Sequence, residues 1–250
     1  DYYAAIGYVL EDLVETELLA RRLRVLDIGA GVGGPALGFH DFFPEESLVQ
    51  YQAVEPSAAG DVLERLLSDT RRNFRTQIHR TTAEAFDPAE HTPAVEWPAD
   101  SGEQAAAGEL PSNRAATSGF DLILFANVLS ELDDPVAVLQ SYREALAPGG
   151  TLVGLAPADR NTSTALRAVE RAVASPDADL GVYSPALRLW PDEEPTDRGW
   201  SFDRGDDIDS PGFQQQLADA SEDPGSFVNE TVKFSYSILR PDRRRRYDIT

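Results

Sequence analysis

The chain has 250 residues, 22 basic against 43 acidic side chains, and a formal charge of −21. It contains no cysteine, which excludes disulfides, thiolate metal sites and a cysteine nucleophile. No apolar run reaches the length of a membrane span and no signal-peptide pattern stands at its start, so no membrane role is expected. Lys233 is the single lysine, the other cations are arginines, and the acids are spread along the chain rather than blocked. Such an excess repels itself in dilute buffer and is tolerated where molar salt shortens screening below about 3 Å. The composition therefore predicts a cytoplasmic protein of a halophile.

Taken in order, residues 1–22 place Ile6, Leu10, Leu13 and Val14 at helical spacing, which predicts an N-terminal helix. Methionine is absent even at position 1, so this helix reads as the continuation of an upstream region. Residues 24–28 form an apolar strand that enters a glycine-rich turn and opens a helix at Pro35. A second strand, 48–54, ends in Glu55 and Pro56, and Ser57 caps a helical run through Leu63, Leu66 and Leu67. Residues 74–80 make a third strand, followed by the segment 82–86. Residues 91–119 lack periodicity and are rich in Ala, Gly, Pro, Ser and Glu; they read as a disordered insertion, with a substrate lid as the alternative.

The fourth strand, 120–125, carries Asn127 just past its end. Asp134 and Pro135 start a helix that runs to Ala147 and stops at Pro148, Gly149 and Gly150. A fifth strand, 151–156, and a helix, 161–174, come next. Trp190 and Trp200 stand in aromatic islands and read as core rather than base-stacking groups. Val232, Phe234, Tyr236 and Ile238 alternate with Lys233, Ser235 and Ser237, the pattern of a half-buried strand added antiparallel to the sheet. The alternation of strands and helices predicts an α/β fold with a mostly parallel sheet and helices on both faces. Ligands of such sheets bind at the carboxyl ends of the strands, where Asp27, Glu55, Glu84 and Asn127 stand.

The turn after the first strand is the most informative segment. Gly29, Gly31 and Gly33 remove side chains that would hold a nucleoside away from the backbone. Gly29, Gly31 and Gly34 also satisfy the dinucleotide pattern, but the carboxylate of Asp27 would face a pyrophosphate there. A ligand with a cationic end tolerates Asp27, and S-adenosylmethionine carries an ammonium and a sulfonium. Glu55, a little over twenty residues on, suits both hydroxyls of a ribose. The three histidines, His40, His79 and His91, show no ligand spacing, so no metal is expected.

Four ordered motifs, VLDIGAGVGG, AVEPS, FDLILFANVLSEL and LAPGGTLVGLAP, resemble the class I S-adenosylmethionine-dependent methyltransferases. That resemblance implies a Rossmann-like seven-stranded sheet with an antiparallel C-terminal edge strand. It implies that Asp27, Gly29, Ala30, Gly31 and Gly33 hold the methionine half, Glu55 and Pro56 the ribose, and Ala83 and Glu84 the adenine edge. Asn127 would line the cofactor near its methyl group. The chain then divides into the helix at 1–22, a cofactor-binding domain at 23–157, and a C-terminal part at 158–250 that closes the same domain.

APADRNTSTALRAVER, VYSPALRLW, DRGWSF and KFSYSILRPD further resemble archaeal relatives of the mitochondrial small-ribosomal-subunit assembly methyltransferase. This implies a partner in the small ribosomal subunit or its rRNA. Members of that family carry cysteines near the segments matching Ala186 and 197–199; this chain has none, and its C-terminal part is expected to be held by packing. Arg240, Arg243, Arg244, Arg245 and Arg246 form the only dense cationic cluster, a candidate phosphate grip or a solvated tail. No catalytic base stands out among Asn127, Ser130, Glu131 and Asp159. A methyltransferase of a small metabolite and a cofactor-binding interaction protein without transfer activity remain as alternatives.

Overall fold

A computed structural model describes residues 2–16, 18–19, 22–43, 47–68, 74–93, 118–175, 178–185, 203–206, 216, 218–223 and 231–246. Most of the expected insertion, Trp97, Trp190, Trp200 and much of the two aromatic islands lie outside the described residues. The elements are α1 Tyr2–Glu15, β1 Arg22–Ile28, α2 Gly34–Phe42, β2 Leu48–Val54, α3 Ala59–Ser68 and β3 Phe74–His79. They continue with β4 Phe120–Ala126, a 3-10 turn at Leu129–Glu131, α4 Pro135–Arg143, β5 Leu146–Pro157 and α5 Arg160–Val173. Strands β6 Gly181–Ser184, β7 Asp203–Asp206 and β8 Thr231–Arg240 complete the fold.

The sheet runs β3-β2-β1-β4-β5-β8-β6, with β7 also on β8. From β3 to β5 all pairs are parallel, and β8 enters antiparallel to β5. β6 meets β8 at Ile238, Leu239 and Arg240, while β7 meets it from Thr231 to Phe234. The two short strands thus share one edge of β8, and eight strands among the described residues fill seven positions. This is a Rossmann-like sheet with an antiparallel end, the arrangement expected from the sequence.

Alternate residues of the parallel strands feed two separate cores. Leu23, Val25, Val49, Tyr51 and Leu124 pack with α1, α2 and α3, whereas Leu26, Ile28, Ile123 and Phe125 pack with α4 and α5. On the second face Arg24 of β1 donates its Nε (3.0 Å), Nη2 (3.0 Å) and backbone N–H (2.9 Å) to the Asp121 carboxylate of β4. Both side chains are buried, and the fork-on-carboxylate geometry satisfies the charge.

Local chemistry fixes the helix starts. Asp134 accepts from the backbone N–H of Ala137 at 3.0 Å with Pro135 behind it. Asp159 accepts from Asn161 and Thr162 at 2.9 and 3.0 Å. The end of α4 differs from expectation. The helix stops at Arg143, because the Ala145 carbonyl is taken by the Phe120 N–H (2.8 Å) and Leu146 already pairs with Phe120. Residues 146–150 therefore open β5 instead of terminating α4.

Strand β8 is also more deeply set than its alternation suggests. Val232, Phe234 and Ile238 lie on the α1 face, Phe234 stacking on Tyr8 at 6.1 Å. Ser235 and Ser237 are buried too, on the face covered by α5, where the Ser163 hydroxyl and the Glu170 carboxylate replace water. No helix among the described residues is long and apolar enough to cross a membrane.

Candidate active site

The carboxyl ends of β1, β2 and β4 converge on the glycine turn. Gly29 and Ala30 donate backbone N–H groups to the Val54 carbonyl (2.9 and 3.3 Å), which straps the turn to the end of β2. Gly31 donates to Glu55 Oε2 at 2.9 Å, and Ser57 donates to Glu55 Oε1 at 2.8 Å. Glu55 is thus buried with one N–H on each oxygen. Burial alone would push its carboxyl up, but the bonds from Ser57 and Gly31 and the charge of Arg80 outweigh it and hold the group below its usual value.

Gly29, Gly31 and Gly33 all have left-handed backbone, with φ of +67°, +55° and +95°. Their surroundings separate their roles. A Cβ on Gly29 would lie 2.7 Å from Val128, and one on Gly33 would lie 2.7 Å from Leu63 and 2.9 Å from Leu66. Those two glycines make room for the protein itself. Only Gly31 faces open space, its virtual Cβ meeting nothing nearer than the Gly29 carbonyl at 4.0 Å.

Asp27 is completely buried beneath this turn. Its Oδ2 accepts from the Tyr51 hydroxyl at 2.5 Å, while Oδ1 has no hydrogen-bond partner. Burial pushes the carboxyl up, the Tyr51 bond offsets part of that and the Glu55 charge adds to it, leaving it at about 7. Tyr51 was not foreseen as a site residue. The signal for it is strand register, since Val25 pairs with Tyr51 and Asp27 with Ala53, putting the hydroxyl and the carboxylate on one face.

Asn127 has a left-handed φ of +61°, a conformation asparagine tolerates better than most residues, and its N–H bonds the Leu155 carbonyl at 2.8 Å. Its neighbour Val128 is the side chain that fills the space over Gly29, so the end of β4 touches the turn. Pro56 and Glu84 are exposed. Ala83 is buried, its carbonyl accepting from Tyr142 of α4 at 2.8 Å. The structure therefore gathers Asp27, the turn, Glu55 and Asn127, and pins Ala83 to α4.

Beyond Asn127 lies a cavity of about 190 Å³ that sequence patterns did not reveal. Leu129, Leu132, Leu155, Leu166 and Val169 make most of its wall, with Ser130 and Thr162 as polar points. These leucines are spaced for core packing, and only the tertiary arrangement of α4 and α5 leaves a gap between them.

The arginine cluster is largely committed elsewhere. Arg240 is buried, donating to Thr151 Oγ1 (2.8 Å) and pairing with Asp242. Arg246 pairs with Asp12 of α1 at 2.8 Å. Arg243 and Arg244 are exposed, and Arg243 donates to the Ala178 carbonyl at 3.3 Å.

With this geometry in place, comparison with known proteins assigns the family: residues 3–210 match the methyltransferase domain. The chain belongs to the methyltransferase-domain family. Solved structures with a similar fold include the CurJ carbon methyltransferase, at 23% identity over 56% of this chain and 31% of that one, with a TM-score of 0.39. An S-adenosylmethionine-dependent methyltransferase from Clostridium acetobutylicum matches at 16% identity over 63% of this chain and 51% of that one, with a TM-score of 0.41. The plantazolicin methyltransferase BpumL, solved with a monoazolic desmethylPZN analogue and SAH, matches at 10% identity over 96% of this chain and 82% of its own, with a TM-score of 0.50. At such identities the likeness is one of fold. The chain spans 31% to 58% of the length of the first solved structures it matches. Comparison with the curated proteins finds no match.

Proposed function

We propose that this methyltransferase-domain protein binds S-adenosylmethionine across the 29–33 turn and acts on the small ribosomal subunit or its rRNA, by methylation or in assembly. The observation that carries the cofactor reading is the open face of Gly31 beside Glu55. Glu55 accepts the Gly31 and Ser57 N–H groups and a bond from the Ser57 side chain, and a carboxylate offers about four lone-pair positions, so room remains for a ribose hydroxyl. Asp27 adds an unpartnered buried oxygen that suits a cationic group. The residues present thus fit the cofactor.

When bound, S-adenosylmethionine supplies an electrophilic methyl on a sulfonium. The chain's own part is alignment and exclusion of water. Asn127, its backbone fixed by the N–H bond to the Leu155 carbonyl, lines the cavity, and its neighbour Val128 touches the turn. Among the described cavity residues none is an acid, a base or a strong nucleophile, so the acceptor must react without a protein base there or bring its own. Calorimetry in molar KCl tests the cofactor: micromolar binding of S-adenosylhomocysteine with none of NAD is expected, and tighter binding of NAD would overturn the reading.

The ribosomal target rests on the ordered resemblance of the C-terminal segments, with exposed Arg243 and Arg244 as the remaining candidates for phosphate contact. Co-sedimentation with small subunits in high-salt gradients, lost on R243Q/R244Q, is the expected result. A second reading, methylation of a small metabolite, is favoured by the apolar cavity beside Asn127. It gains if the protein stays at the top of the gradient while Leu166→Trp, which fills the cavity, abolishes transfer.

A further inference from the structure

We infer that Tyr51 and Asp27 act as one buried proton-linked unit beneath the glycine turn, so that cofactor binding releases a proton from Asp27. The inference rests on the cofactor reading above and deepens it: Asp27 becomes the ammonium-sensing group and Tyr51 its positioning residue.

Three observations carry it. Both side chains are fully buried, and the Tyr51 hydroxyl donates to Asp27 Oδ2 at 2.5 Å. The direction of that hydroxyl is fixed, because the Tyr51 ring stacks on Phe74 at 5.4 Å and meets the edge of Phe39 at 5.8 Å. The second oxygen, Oδ1, has no partner, an arrangement that costs free energy when the carboxylate is ionised and unpaired. A cation brought to Oδ1 supplies the missing partner.

The charged neighbours leave no competing explanation. Tyr51 and Glu55 are the groups that act on Asp27. On the helices over this face, Asp12 of α1 pairs with Arg246, and Asp41 of α2 accepts from Tyr3 and meets His40. Asp61 and Glu64 of α3 pair with Arg80. Across β4, Asp121 belongs to Arg24 on the other face. No cation among these groups is directed to Asp27.

The step balances simply. The neutral carboxyl loses its proton to solvent, the carboxylate forms, and it accepts from the ammonium of the ligand while Tyr51 holds the other oxygen. The raised Asp27 value of about 7 sets the window. Below it the proton must be removed before the ammonium can be held, so affinity falls about tenfold per pH unit.

The test uses the full chain in molar KCl with two probes, S-adenosylhomocysteine, which carries the ammonium, and adenosine, which lacks it. Expected is an S-adenosylhomocysteine affinity about tenfold weaker at pH 6 than at pH 8, with adenosine flat across the same range. Calorimetry in buffers of different ionisation enthalpy should count close to one proton released at pH 6. Asp27→Asn should bind S-adenosylhomocysteine weakly and without pH dependence, and Tyr51→Phe should move the midpoint upward, because the carboxylate loses its one donor. Equal pH profiles for the two probes, or a slope that survives in Asp27→Asn, would overturn the inference and leave the cofactor reading standing. Failure of the folded wild-type chain to bind either probe would remove the cofactor reading itself.

Discussion

The two halves of this sheet are stabilised by different chemistry. From β3 to β4 the interior is mostly apolar, and its buried polar side chains stand mainly in separate pairs, Arg24 with Asp121 and Tyr51 with Asp27. From β5 to β6 the interior is laced with polar groups. Ser163 and Ser235 share a hydrogen bond at 2.6 Å, Ser237 donates to Glu170 at 2.8 Å, and Arg167 pairs with Glu170 and donates to the Tyr236 carbonyl. Arg240 adds Thr151 and Asp242 to the same region. Packing alone was expected to hold this part; among the described residues an ionic and hydroxyl network joins it. The difference teaches that the C-terminal half tolerates substitution less by size than by charge.

The largest test breaks that network at its centre. Glu170 is 1% exposed and answers the Arg167 charge. Glu170→Leu should destabilise the protein by about 3–5 kcal/mol, since one partner of a buried pair is removed and the other stranded. Replacing Arg167 and Glu170 together by leucine should recover most of that loss. Chemical denaturation measures both, and a double variant as unstable as the single one would show that packing rather than charge dominates.

In the other half one buried charge works in the opposite sense. Asp27 rises from an ordinary value of 3.8 to about 7, so the folded state holds its proton more tightly than the unfolded chain. The resulting cost to stability is absent below about pH 4, grows as pH rises toward 7 and is constant above. Asp27→Asn should therefore stabilise the ligand-free protein at pH 8, on the order of 4 kcal/mol, with the gain vanishing near pH 4. Denaturation across pH checks this, and an equal gain at both ends would point to packing instead. Stability surrendered at one position is the mark of a site kept for binding.

The glycines give smaller, graded effects. Gly33→Ala combines roughly 1–3 kcal/mol of overpacking against Leu63 and Leu66 with left-handed strain. Gly31→Ala carries only the strain, roughly 1–2 kcal/mol, and keeps its loss for the cofactor. Melting curves with and without S-adenosylhomocysteine should therefore rank Gly33→Ala as less stable, and Gly31→Ala as less responsive to ligand. Gly31→Val, with a branched Cβ at φ +55°, would mix the two effects.

What sequence alone reveals follows the same divide. Strands β1 and β4 are rich in apolar residues and buried along almost their whole length, and their order and the turn after β1 are local patterns. Which glycine faces open space is not local, because Val128 and Leu63 reach the turn from distant segments. Tyr51 escapes notice for the same reason, looking like core until β1 and β2 are set in register. In the C-terminal half, the serines of β8 read as solvent-facing since their partners lie on α5, more than sixty positions away. The arginines after β8 read as a cluster along the chain, yet Arg240 and Arg246 turn to Thr151 and Asp12 in the fold.

The smallest expected effect lies at the rim of the site. Arg80 follows β3 and pairs with Asp61 at 2.7 Å and Glu64 at 3.3 Å, both acids well exposed on α3. It also donates to the Ser57 carbonyl at 3.3 Å, and against the upward push of burial it adds to the Ser57 and Gly31 bonds in holding the Glu55 carboxyl low. Exposed pairs of this kind are worth about 0–1 kcal/mol and weaken with salt. Arg80→Gln should change stability by no more than that in dilute buffer, and by less in molar KCl. Its sharper signature is electrostatic. A carboxyl held low stabilises the fold above its unfolded value and loses that contribution as pH falls. Without Arg80 the Glu55 value rises, so the acid limb of S-adenosylhomocysteine binding should begin at higher pH while affinity at pH 8 stays close to wild type. A titration of binding against pH in low salt reads this directly. An unchanged acid limb would leave the hydrogen bonds from the Ser57 side chain and backbone and from the Gly31 N–H as what keeps Glu55 ionised.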